Sequence, residues 1–148
     1  MCGGVEVAGR FTESGKPVKV YFPNPKAALP VLQADGTVEW LPWGRRKEQE
    51  GHLPATGWAR VDSISAGKWA RFHPQEVRIA AERFMEKDQA GVSHWFDLEE
   101  SQAIEGLLVA AGEERRVYVV TSLPPAGCES IHGRWPVVTA WQHGSGES

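Results

Sequence analysis

The stretch Asp97-Leu98-Glu99-Glu100-Ser101-Gln102-Ala103-Ile104-Glu105-Gly106-Leu107-Leu108-Val109-Ala110-Ala111-Gly112 decides the class of fold. Local propensity reads it as a helix. Asp97 and Glu100 make a capping pair, and Ile104, Leu107, Leu108 and Ala111 fall on one helical face. Gly112 could close that helix. Its neighbours read as β structure, with six or seven short strands and little certain helix. The helix content of the fold therefore turns on this stretch.

On its C-terminal side, residues 117–121 (Val-Tyr-Val-Val-Thr) read as a strand and residues 124–127 as a Pro/Gly loop. On the N-terminal side, residues 94–96 read as a short strand and residues 87–91 as a turn. Residues 77–85 read as a strand that delivers Glu86 at its end. Residues 57–64 alternate, with Trp58, Arg60 and Asp62 on one face and Ala59, Val61 and Ser63 on the other. Residues 67–74 are irregular and residues 44–56 are loop. Asp35-Gly36 is a turn signal inside a hairpin over residues 30–41. Residues 18–22 form the first alternating run. Trp40-Leu41-Pro42-Trp43-Gly44 is a stiff aromatic segment, followed by the basic triplet Arg45-Arg46-Lys47. One domain spans residues 1–142, with a polar tail over 143–148.

The 148 residues suffice for a real core, at 41% hydrophobic and 24% charged. No apolar run reaches the ~18 residues of a membrane span, and no signal peptide is evident. Two cysteines, Cys2 and Cys128, give no disulfide framework, which fits a reducing cytoplasm. Five scattered His add no metal-ligand spacing, so no metal and no cofactor is expected. The net charge of −3 does not suggest a generic nucleic-acid binder. The charge is unevenly placed: residues 1–87 hold 13 Lys/Arg against 10 Asp/Glu, and residues 88–148 hold 3 against 9. A local basic groove is compatible with that distribution. Seven Trp is a high count, serving either a β-rich core or stacking platforms for bases.

Cys2 follows the initiator methionine directly. Removal of Met1 would leave a 1,2-aminothiol, a free α-amine beside a thiol. Such a group condenses with an aldehyde: the amine forms a Schiff base and the thiol closes a thiazolidine ring. The amine titrates near ~8 and a free thiol near ~8.5, so both are partly nucleophilic at neutral pH. On position alone, an incidental residue at a frayed terminus is the plainer reading.

Three separated stretches together resemble the SRAP family, the SOS-response-associated peptidase-like domain. They are Met1-Cys2-Gly3, Arg83-Phe84-Met85-Glu86-Lys87 and Ile131-His132-Gly133-Arg134-Trp135-Pro136-Val137. The second is similar to the family's Gly-aromatic-aromatic-Glu-Trp, and the third to its Ile-His-x-Arg-Met-Pro-Val. Trp40-Leu41-Pro42-Trp43 and Trp58-Ala59-Arg60-Val61-Asp62 resemble two further family segments in the same order. The resemblance covers nearly the whole chain, though family members are usually longer. It implies an α+β fold with a largely antiparallel, barrel-like β core and few short helices. It also places a strand near residues 103–109, which overrides the helical propensity there.

Family members recognise abasic sites in single-stranded DNA and crosslink to them through the N-terminal cysteine. The resemblance thus implies Cys2 as nucleophile, Glu86 as proton donor and acceptor at the sugar, and His132 as proton shuttle. Arg60 and Arg134 would grip phosphates beside the lesion, and Trp43 and Trp58 would stack on bases. Arg45 and Arg46 are further candidates for phosphate contact. The implied protein is a cytoplasmic, nucleoid-associated monomer of the DNA damage response that binds single-stranded DNA and no membrane. There are departures. Trp58 stands where the family has an Asn that positions the cysteine and the sugar. Gly4 replaces an arginine, Lys87 a Trp and Trp135 a Met. Two other classes stay open. One is an N-terminal-nucleophile peptidase or hydrolase that removes its own Met1. The other is a non-catalytic module binding DNA or protein.

Overall fold

The computed structural model describes residues 2–129, 131 and 133–140. His132, the retention of Met1 and the expected tail at 143–148 lie outside the described residues. The decisive stretch is a strand, Gln102–Ala111. Its apolar residues look helical in spacing because both faces of the strand are buried. Ile104 and Leu108 pack into one core cluster, and Leu107, Val109 and Ala111 pack into the other. A two-sided strand needs no alternation, so periodicity misleads. Gly106 has a packing reason, since a Cβ there would lie 2.8 Å from Ile79 Cδ1 and 3.1 Å from Val117 Cγ2. Gly112 sits at φ +62, not at a helix end but in the tight turn to the strand Glu114–Ser122. The same left-handed glycine suits either role.

The strands in chain order are β1 (Cys2–Val7), β2 (Val18–Tyr21), β3 (Ala28–Leu32), β4 (Val38–Pro42), β5 (Trp58–Arg60), β6 (Gln75–Ile79), β7 (Arg83–Lys87), β8 (Ser93–Asp97), β9 (Gln102–Ala111), β10 (Glu114–Ser122), β11 (Trp135–Pro136) and β12 (Val138–Ala140). A four-stranded sheet has the order β2-β1-β7-β8. A larger sheet runs β11-β10-β9-β6-β3-β4, with β12 beside β9 and β5 parallel to β10. All pairings except β5 with β10 are antiparallel. The α+β, largely antiparallel expectation holds at this level. The barrel-like core does not, because the sheets remain open. One parallel bridge, Trp43 with Val117, brings the end of β4 back to β10 without building a ladder.

Two further expectations need correction. The alternation over residues 57–64 ends at Arg60, and Val61–Ser65 is a short α-helix, α1, with Asp62 in its first turn. Acid at that place complements the helix dipole. The run over residues 77–85 is two strands in different sheets. Ala80 and Glu82 carry the chain across, donating their N–H groups to Pro30 O at 2.9 Å and Glu6 O at 2.8 Å. That crossing sets β7 beside β1 and so brings Glu86 to the N-terminal strand. The hairpin over residues 30–41 and the strands at 18–22, 94–96 and 117–121 have their ends within three residues of the observed elements. No helix among the described residues is long and apolar enough to cross a membrane.

Candidate functional site

Cys2 and Glu86 are register partners across β1 and β7, so their side chains share one face of the small sheet. That face is the core face, and both residues are fully buried. The register shifts between Cys2 and Gly4, a bulge at the diglycine where a strand without side chains bends readily. The Cys2 thiol donates weakly to Gly4 O at 3.4 Å. Burial, reinforced by the Glu86 charge, pushes that thiol up to about 12. Burial pushes the Glu86 carboxyl up to about 7, so both of its protonation states are populated at neutral pH. In this arrangement the thiol is protonated and shielded, and the carboxyl beside it can both give and take a proton.

Trp58 joins them from β5. Its indole N–H donates to the carbonyl of Cys2 at 2.7 Å. The indole packs on Phe22, ring centroids 4.8 Å apart, and edge-on to Trp43 at 6.5 Å. An indole N–H from the large sheet thus fixes the main chain at the cysteine. Phe22 N–H also donates to Gly3 O at 3.2 Å, so the start of β1 is held from both sides.

The remaining candidates divide sharply. Trp43 is no stacking platform: it is fully buried, and its indole N–H donates to Gly57 O at 3.0 Å. Arg46 is no phosphate grip either. It is buried, its guanidinium lies 4.3 Å from the Phe22 ring centroid, and it donates to the carbonyls of Phe22, Asn24, Trp43 and Gly44. Arg45 spends its donors on Leu53 O at 2.7 Å and Gln49 O at 2.6 Å. Arg45 and Arg46 thus organise the loop over residues 44–56, because a planar five-donor group can satisfy the carbonyls of a loop with few of its own partners. Arg60 is exposed, with its fork on Asp62 at 3.0 and 2.8 Å. The Arg60 fork holds the Asp62 carboxyl down at about 2, and Arg134, which donates to Thr121 O at 2.9 Å, adds a smaller push in the same direction. Arg60, Asp62 and Arg134 therefore form a mixed-charge patch outside the buried pair.

Sequence reasoning missed an apolar pocket of about 390 Å³ beside Cys2, lined by Gly3, Tyr21, Phe22, Pro23, Trp58, Met85 and Lys87. Tyr21 and Phe22 were legible only as members of an alternating run. Nothing local shows that β2 would end against β5. A larger cavity of about 470 Å³ lies elsewhere, among Phe11, Leu32, Glu82, Leu98 and Glu100, and takes in none of the candidate residues. Among the described residues no three His, Cys, Asp or Glu side chains gather as a metal-ligand set. Compared with protein-family models and with curated proteins, the chain matches none.

Proposed function

We propose that this chain is an SRAP-like sensor of abasic sites that binds single-stranded DNA and links to the lesion through Cys2. The observation that carries the reading is the buried Cys2–Glu86 register pair. An incidental terminal cysteine would fray, and it would not be set opposite the one fully buried carboxylate among the described residues.

Removal of Met1 frees the Cys2 α-amine. The amine adds to the open-chain aldehyde of the abasic sugar and gives a carbinolamine. Glu86, in its protonated form, supplies the proton with which water leaves, and an iminium remains. The thiol then adds to the iminium carbon and its proton passes to the Glu86 carboxylate. The products are a thiazolidine and one water, with Glu86 restored. A carboxyl held near 7 suits both proton transfers at neutral pH. His132 would serve as a second proton carrier. Entry of the sugar to the buried pair requires the start of β1 to open and then reclose beside Glu86, and the diglycine bulge provides the freedom for it. Arg60 and Arg134 would meet the flanking phosphates, in competition with Asp62.

A second reading has one observation in its favour. A thiol pushed up to about 12 is a poor nucleophile, which suits a binding module that has kept the pair for structure. Intact-protein mass spectrometry with a single-stranded oligonucleotide carrying one abasic site separates the two, with an undamaged strand as control. Crosslinking predicts an adduct with the abasic strand alone, lost in Cys2→Ala. An unchanged adduct in Cys2→Ala, or no adduct from protein that has lost Met1, would overturn it.

A further inference from the structure

The pocket beside Cys2 has no role in the chemistry above, and its lining is selective. Its walls are aromatic: Tyr21 from β2, Phe22 just beyond it, and Trp58 from β5. Met85 and Gly3 line it from the small sheet. Lys87 is the single charged side chain among the lining residues, exposed at the end of β7, and no carboxylate accompanies it. Tyr21 is 42% exposed although it is a large ring in a sheet. A Cβ at Gly4 would lie 3.1 Å from its ring, so the bare glycine lets the tyrosine lie across the strand. The tyrosine also meets Trp95 edge-on, with centroids 6.3 Å apart, and Lys19 lies 5.0 Å from the centroid of that Trp95 ring. This face of the small sheet, opposite the face holding Cys2 and Glu86, thus joins aromatic surface to positive charge.

We infer that the pocket bounded by Tyr21, Phe22, Trp58 and Met85 receives one unstacked nucleobase, with Lys87 on the adjoining phosphate. A planar apolar ring carrying an anion on its sugar fits walls of this kind, and every base offers a π-face to them. A volume of about 390 Å³ is at the small end of ligand pockets, right for one ring system and too small for a folded peptide segment. Gly3 belongs to the lining and Trp58 holds the Cys2 carbonyl. A base docked here would therefore set the neighbouring nucleotide over the start of β1. The inference rests on the proposal that the chain engages single-stranded DNA, but not on the crosslink.

The test compares two tetranucleotides with equal numbers of phosphates, tetrathymidylate and a tetramer of tetrahydrofuran spacers that lacks bases, by intrinsic tryptophan fluorescence at low salt. Wild type should bind the base-bearing strand about tenfold or more tightly. Tyr21→Ala, a change at an exposed position, should erase that preference while circular dichroism stays unchanged. Lys87→Gln should weaken both ligands and flatten their salt dependence. Equal binding of the two strands, failure to bind either, or a preference that survives Tyr21→Ala would overturn the inference. An adduct with abasic DNA alongside equal binding would sink the pocket and spare the crosslink. A base preference without any adduct would do the reverse.

Discussion

The indole N–H of Trp58 donates to the main-chain carbonyl of Cys2 across 56 residues of sequence, at 2.7 Å. This contact ties the parallel strand β5 of the large sheet to the first strand of the small one. Trp58→Phe keeps the ring against Phe22 and removes the donor. Loss of one such hydrogen bond costs about 1 kcal/mol, more if the carbonyl stays dry. Urea unfolding should show a lowered midpoint with an unchanged slope. If Trp58 also positions the cysteine, adduct formation with an abasic strand should slow beyond what the stability loss explains.

Glu86 makes stability depend on pH with a definite sign. Its folded-state value of about 7 lies above the ordinary 4.5, so the folded protein holds more protons than the unfolded chain between those values. Stability therefore falls as pH rises from about 4.5 to 7 and levels off above that. The shift corresponds to an upper bound of about 3 kcal/mol. Glu86→Gln should flatten this part of the profile, measured as melting temperature at pH 5 and pH 8. A wild-type profile that rises across this range through no other group would contradict the raised carboxyl.

Arg46 and Arg60 should behave oppositely although both are basic residues near the site. Arg46→Ala strips several loop carbonyls of their donor and should cost about 3 kcal/mol or more. Arg60 is exposed, and Arg60→Ala should change stability by less than about 0.5 kcal/mol. Asp62→Asn frees the Arg60 guanidinium from its fork. If Arg60 meets a phosphate, that variant should bind single-stranded DNA more tightly, with a salt slope steeper by up to about 0.7. An unchanged slope would remove Arg60 from the interface.

Gly106→Ala tests the strand that the sequence disguises as a helix. In a helix the change would stabilise by roughly 0.5–1 kcal/mol. In β9 the new methyl meets Ile79 and Val117, and overpacking of this kind costs about 1–3 kcal/mol. The direction of the shift in the denaturation midpoint distinguishes the two.

Much of the fold was legible where one face of a strand is wet. Val18, Val20 and the Asp35-Gly36 turn announce themselves through alternation and turn chemistry. Central strands such as β9 lose that signal because neither face meets water, and there the family resemblance supplied what periodicity could not. The jump between sheets at Ala80 and Glu82 was invisible, since both residues continue a plausible strand. For the site, Cys2 and Glu86 were named from motif order, yet nothing local shows that Met1-Cys2-Gly3 begins an inner strand. Arg46 and Trp43 were misplaced for one reason: composition cannot tell a cation or an indole facing solvent from one satisfying carbonyls inside.

The inner position of β1, between β2 and β7, makes the cysteine a reporter on breathing of the sheet. Cys128 is only half-buried and should meet an alkylating reagent early. Cys2 can be labelled only during excursions in which the first strand peels away, so its labelling rate counts those openings as amide exchange does. Slow labelling of Cys2, accelerated by mild urea while Cys128 stays constant, would give the free energy of that single-strand release without unfolding the molecule.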